Sequence, residues 1–223
     1  MDKQGVWKCK AARAPLQPAA APVGSKEPGR LGQPAAGLPY NLRPMPQSSD
    51  PKSSSDPEPR EITGRLVLGQ HRIAIAVGRF NEFITRHLLE GCVATWRQLG
   101  GTADRLTVAH VPGSFELPAT ALKLAETGDY AAVICLGCVI RGDTDHYDHV
   151  VQQTAKGIKD VGVKTGVPTI FGVLTCDTLE QAIHRAGAKM GHAGRSAMMT
   201  AVEMADLMQQ VGNGSASDPP HGR

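Results

Sequence analysis

Residues 131–150 read AAVICLGCVIRGDTDHYDHV. The first ten, Ala131 to Ile140, form an unbroken apolar run of small and β-branched side chains. A half-exposed strand alternates apolar with polar residues. This run does not, so it reads as a strand buried on both faces. At Arg141-Gly142 the chain turns polar, with Asp143, Thr144, Asp145, His146, Tyr147, Asp148 and His149 in succession. A helix-compatible segment, VVQQTAKGIKDVG, follows. Open α/β sheets build ligand sites from such a strand, turn and helix. Beyond the carboxyl ends of the strands, free backbone N–H groups and helix dipoles converge.

The same alternation extends in both directions. Arg72 to Val77 is a strand that ends at Gly78-Arg79-Phe80-Asn81, with Asn81 placed to cap the next helix. Apolar residues at 83, 84, 88, 89, 92, 93, 96 and 99 give residues 82–99 a helical period, which Gly100-Gly101 stops. Asp104 to His110 is a second strand, Val111 to Ser114 a loop, and Phe115 to Glu126 a helix. After the quoted stretch, whose helix reaches about Gly162, Pro168 to Leu174 reads as another buried strand. Thr178 to Gln181 resembles a capping box. Gly187 to Gly194 is a glycine-rich break, and Ser196 to Val211 is the last helix. Leu66-Val67-Leu68 is either a short strand or part of a tail. The pattern predicts one flavodoxin-like three-layer α/β domain with a parallel sheet of four to five strands and helices on both faces. Its bounds are 63–211, between a Pro/Ala/Ser-rich extension at 1–62 and a polar tail at 212–223, both expected to be disordered.

Bulk properties exclude several classes. A net charge of +3 without a basic stripe, and few aromatics, argue against nucleic acid. No apolar segment reaches the length of a membrane helix, and the N-terminus lacks a secretory h-region. The basic, Ala-rich start suggests a transit peptide, but its prolines oppose the required amphipathic helix. A disordered extension or a misplaced start codon is the expectation, with the protein in the cytoplasm. Of five cysteines, Cys9, Cys92, Cys135, Cys138 and Cys176, three lie in apolar runs, which fits free buried thiols. Cys135 and Cys138 form a C-x-x-C, but along a strand rather than at a helix start, so packing is expected over redox chemistry or zinc.

The chemistry-bearing residues follow strand after strand, so they converge on one edge of the sheet. His146 is the natural proton-transfer group. Gly142, Asp143 and Thr144 enter a helix and offer backbone N–H groups and a hydroxyl to an anion; of Asp143 only the N–H serves, because its carboxylate repels a phosphate. Phe80 and Phe115 sit in polar loops beside glycines, suited to stacking on a flat ring. Glu116 offers an acceptor, and Arg185 a partner for phosphate. The alternatives are a surface histidine, a plain N-cap, a core-plugging phenylalanine, a first-turn carboxylate and a solvated arginine. Asp143, Asp145, His146, Asp148 and His149 crowd one helical turn and point different ways, which disfavours a metal site.

With these segments in place, the chain resembles the lumazine synthases of riboflavin synthesis. The likeness runs from about Arg72 to Leu207 and rests on five segments in order: GRFNEFIT (78–85), VPGSFELP (111–118), LGCVIRGDTDHYDHV (136–150), PTIFGVLT (168–175) and QAIHRAGAKMGHAG (181–194). The resemblance implies condensation of 5-amino-6-(D-ribitylamino)uracil with 3,4-dihydroxy-2-butanone 4-phosphate, without metal or redox cofactor. It implies His146 as acid/base and Phe80, Ser114, Phe115, Glu116, Cys138, Val139 and Ile140 around the pyrimidine. Asp143, Thr144 and Arg185 would hold the phosphate, and Phe171 would come from a neighbouring subunit. It further implies a homopentamer, a 60-subunit shell in some members, and riboflavin synthase as a partner. One departure stands out: many relatives carry lysine where this chain has Ala193, and His192 is the nearest residue to replace that charge. The same fold also suits a non-catalytic flavin binder or storage shell, and the Asp/His cluster a metal-dependent hydrolase. Retention of His146 and Arg185 favours the enzyme.

Overall fold

The computed structural model describes residues 59–214; the expectations for 1–58 and 215–223, Cys9 among them, lie outside these. Strands β1 (Ile73–Gly78), β2 (Leu106–Val111), β3 (Ala132–Ile140) and β4 (Thr169–Cys176) form one sheet. Around them lie α1 (Glu82–Gln98), α2 (Leu117–Glu126), α3 (His146–Thr165), α4 (Leu179–Arg185) and α5 (Ala193–Gly214). The strand order is β2-β1-β3-β4 and every pairing is parallel. Succession runs outward from β1 to β2, then reverses through β3 to β4. The reversal leaves a crevice between the carboxyl ends of β1 and β3, the natural ligand position of an open α/β sheet.

Strand pleating divides the core into two layers. Ile73, Ile75 and Val77 of β1 and Ile134, Leu136 and Cys138 of β3 pack with Leu88 and Trp96 of α1 and Met198 and Val202 of α5. The intervening Ala74, Ala76, Val133 and Cys135 pack with Leu117 and Ala121 of α2 and Ile158 and Val161 of α3. Three residues apart on a strand, Cys135 and Cys138 therefore face opposite layers, and no disulfide can join them. Burial pushes the Cys92, Cys135 and Cys138 thiols up to about 12, which keeps them inert packing groups.

Several local expectations give way to tertiary context. No strand forms at Leu66-Val67-Leu68. Instead Leu68 is buried against the core, and the backbone N–H of Arg65 donates to Asp206 on α5 at 2.9 Å. Strand β4 is not buried throughout: it is an edge of the sheet, and Phe171 is 45% exposed. An apolar run cannot by itself distinguish an edge from a centre. Asn81 stands at the N-cap of α1, but in the left-handed region (φ 58°) and without a capping bond. Its Nδ2 donates to the Cys138 carbonyl at 3.0 Å instead, tying the β1 loop to the end of β3. Helix α3 passes Gly162 and ends at Gly166, whose φ of 71° suits glycine. Gly162 is needed for proximity, since a Cβ there would stand 2.7 Å from the Thr169 hydroxyl. Thr178 caps α4, accepting from the Gln181 N–H at 3.2 Å.

Helix α5 starts three residues before Ser196, inside the glycine-rich break, and continues to Gly214. Its start is fixed by close packing on α1. A Cβ on Gly194 would collide with the backbone of Leu88, and the Gly194 carbonyl accepts from the Cys92 thiol at 3.0 Å. The His192 imidazole fills the space above Gly91 of α1 and beside Gly187. Its Nδ1 is buried, and among the described residues it has no hydrogen-bond partner. Burial first, then the cations Arg195 and His87, lower its affinity for a proton; Glu90 opposes them.

Two outcomes follow from this junction. Gly194→Ala lowers stability by about 1–3 kcal/mol, the usual cost of forcing atoms into a filled core, read as a lower urea midpoint with the same slope. His192 binds a proton less readily folded than unfolded, so its stabilising contribution is whole above its ordinary value of 6.5 and is lost as the pH falls below it. His192→Gln flattens that loss in urea titrations run downward from about pH 6.5; an unchanged slope would assign it to other groups.

Candidate active site

A cavity of about 320 Å³ occupies the crevice where the strand order reverses. Three loops meet there and are bonded to one another. The Arg79 and Phe80 backbone N–H groups donate to the carbonyls of Val111 and Pro112 at 2.8 and 2.9 Å. Asn81 reaches the end of β3 as described, and the Thr154 hydroxyl of α3 donates to the Ser114 carbonyl at 3.2 Å. Close approach makes this possible: a Cβ on Gly137 would stand 2.5 Å from the Ser114 hydroxyl. The buried Ser114 therefore lies directly over β3.

Phe80, Ser114, Phe115, Glu116, Cys138, Val139, Ile140, Thr144 and His146 all line this cavity. Phe80 is 71% and Phe115 59% exposed, although both are large apolar rings. Rings left open beside a cavity offer flat faces to a ligand. Glu116 stands at the entry to α2 and His146 is the first residue of α3. Gly113, Gly142, Tyr147 and Val150 complete the wall. Val150 was not legible as a site residue, yet its spacing held the signal, since positions 146, 147 and 150 share one helical face.

The β3–α3 loop leaves several backbone donors unpaired. Among the described residues, none accepts a hydrogen bond from the backbone N–H of Gly142, Asp143 or Thr144. Asp145 takes the N-cap position of α3 without a side-chain cap. Free amides therefore stand at the positive end of a helix of 20 residues, a favourable place for negative charge. Asp143 lies in this loop but not in the cavity wall.

Two expected site residues lie elsewhere on the protomer. Phe171 and Arg185 line a separate cleft of about 480 Å³ over the outer edge of β4, together with Ala193, Ser196 and Thr200. Arg185 donates to the Met190 carbonyl at 3.3 Å. His192 is not among the residues of this cleft, because its ring is engaged against Gly91; it does not supply the charge that Ala193 lacks. Among the described residues, no group of three His, Cys, Asp or Glu side chains is disposed to hold a metal. Nor is any helix there long and apolar enough to cross a membrane.

Residues 70–209 match the family model for 6,7-dimethyl-8-ribityllumazine synthase. The chain is 50% identical over 153 residues to a protein of that name from Salinibacter ruber, covering 69% of this chain and 98% of the relative. It is 47% identical over 152 residues to another from Protochlamydia amoebophila, covering 68% and 88%. The matched span holds all four strands and every residue of both clefts, and the chain belongs to the 6,7-dimethyl-8-ribityllumazine synthase family.

Proposed function

We propose that this chain catalyses the condensation of 5-amino-6-(D-ribitylamino)uracil with 3,4-dihydroxy-2-butanone 4-phosphate. The products are 6,7-dimethyl-8-ribityllumazine, phosphate and water, the penultimate step of riboflavin synthesis. One observation carries the reading. Two open phenyl rings, a carboxylate, an imidazole and the loop residues Gly142 and Thr144, whose amides donate to no described residue, share a single cavity within the family-matched span. Phe80 stacks on the pyrimidine, while Ser114, Phe115, Glu116 and Cys138 to Ile140 hold its ring and ribityl chain. The amides of residues 142–144 and the Thr144 hydroxyl receive the phosphate.

The chemistry consists of proton transfers and loss of an anion. The pyrimidine amine adds to the ketone, and loss of water gives an imine. Elimination then expels phosphate, and the second amine closes the ring with loss of water. His146 takes and returns the protons at the reacting carbon and nitrogen. The helix end stabilises the departing phosphate.

Phe171 and Arg185 belong to this site in the assembled protein. On one protomer they lie in another cleft, so a neighbouring subunit of a homopentamer brings them to the cavity. The pentamer is the unit that twelvefold repetition would close into a 60-subunit shell. Riboflavin synthase is the partner that consumes the product, and the cytoplasm is the compartment.

The deciding assay follows lumazine absorbance with both substrates and EDTA present. Steady product growth is expected; folded protein that binds a lumazine analogue but makes no product would instead be a flavin binder. His146→Ala lowers turnover by on the order of a hundredfold with pyrimidine binding retained. Lost binding would give His146 a structural part. Arg185→Ala raises KM for the phosphate substrate by roughly ten- to a hundredfold, the weight of a charged hydrogen bond. Co-refolding the two variants tests the shared site, assayed at limiting phosphate substrate. Sites built across subunits recover roughly a quarter of wild-type activity, because chance mixing pairs intact halves. Sites contained in one subunit recover none.

A further inference from the structure

The β3–α3 loop has a conspicuous lack of internal support. Gly142, Asp143 and Thr144 donate no backbone hydrogen bond to any described residue, and Asp145 supplies no cap. Something else must hold these amides in place against the entropy of a free segment. One side chain reaches across both ends of the loop. Arg141, where the loop begins, extends Nη1 and Nη2 to the two carboxylate oxygens of Asp148, each at 3.3 Å. Asp148 lies in the first turn of α3, just beyond where the loop ends. The Arg141 Nε donates to Asp177 at 3.0 Å, and its backbone N–H to the Cys176 carbonyl at 2.9 Å. Its guanidinium carbon stands 4.0 Å from the centre of the Tyr147 ring, and Tyr147 is part of the cavity wall.

We propose that Arg141 is a positioning residue for the reaction: it staples the β3–α3 loop shut, so that the amides of residues 142–144 and His146 hold one geometry. The proposal rests on the catalytic reading above. The planar fork and the stacked face use all of the guanidinium, which a lysine cannot reproduce. Asp177 adds a third element, since it directly precedes the cap of α4, the helix that ends in Arg185. Arg141 is not part of the cavity wall and acts through the loop.

A simple charge effect and a staple predict opposite results in one variant. Asp148→Asn with Asp177→Asn leaves Arg141 in place and makes the region more positive. If Arg141 acted only as a cation near the phosphate, KM for the phosphate substrate would fall. If it is a staple, releasing its partners loosens the loop, and that KM rises roughly tenfold, as expected when bonds to a charged group lose their alignment. KM for the pyrimidine stays within about twofold, because Phe80 and Phe115 stand on other loops. Partial unfolding would lower turnover per chain but move neither KM. Arg141→Lys, which keeps the charge and loses the fork, shows the same split. Wild type is assayed alongside, in its assembled form. Active wild type with a lowered or unchanged phosphate KM in the double variant overturns the staple alone. So does a lysine variant equal to wild type. Wild type that forms no lumazine overturns the catalytic reading and the staple with it.

Discussion

The parallel pairing of β1 with β3, Ile73 beside Ala132 through Val77 beside Leu136, is the constraint on which the site depends. Because these strands are consecutive in the sheet but not in the chain, their carboxyl ends open into different loops with no crossover between them. The gap becomes the cavity. Depth is set by side chains of almost no size: Gly78 and Gly137 let the Val111–Ser114 loop settle onto the strand ends. The half-buried Asn81 amide then ties the β1 loop to the end of β3 through the Cys138 carbonyl. Rigid strands thus carry a binding surface made of loops, with the precision residing in backbone contacts.

The distribution of aromatic residues reflects the same division. Trp96 is fully buried, while Phe80, Phe83, Phe115 and Phe171, all four phenylalanines of the chain, are exposed. A core layer built from alanine, valine and isoleucine packs closely against the sheet and needs no phenyl ring to fill it. Rings kept at the surface lose the benefit of burial, on the order of 2 kcal/mol each, unless something covers them. In the proposed reading, Phe80 and Phe115 find cover in a flat substrate and Phe171 in the assembly, so the exposed rings stand where ligand and neighbour would meet.

Most of the fold was legible from hydrophobic period alone. The alternation of continuous apolar runs with 3.6-period segments located all four strands and five helices to within a few residues. What failed to show was tertiary in origin. Leu66-Val67-Leu68 has strand-like residues, yet the Arg65–Asp206 contact draws the segment along α5 and only Leu68 is buried. Asn81 has the composition of a cap, but a more distant carbonyl claims its side chain. Phe80, Phe115, Glu116, Thr144 and His146 were legible because each follows a strand and strand ends share an edge, whereas Cys138 to Ile140, inside β3, came only through the family resemblance and Val150 was missed. Position along the chain could not tell that Phe171 and Arg185 face a different cleft, since that depends on β4 being the outermost strand.

The proposed anion site would use little charge. By resemblance, relatives place a lysine at the position of Ala193, which lines the Arg185 cleft here. His192 stands outside that cleft: its ring is wedged over Gly91, and burial lowers its affinity for a proton. In the proposed reading, phosphate capture falls to one arginine and to backbone dipoles at the start of α3. Dipoles bind an anion only when several point at one spot, since each alone carries a fraction of a charge. A cation on a flexible stem tolerates a loop that moves; a cluster of amides does not. Capture without a mobile charge demands order in residues 142–146, and the proposed staple would supply it through an Arg141 guanidinium bonded on two sides and stacked on a third.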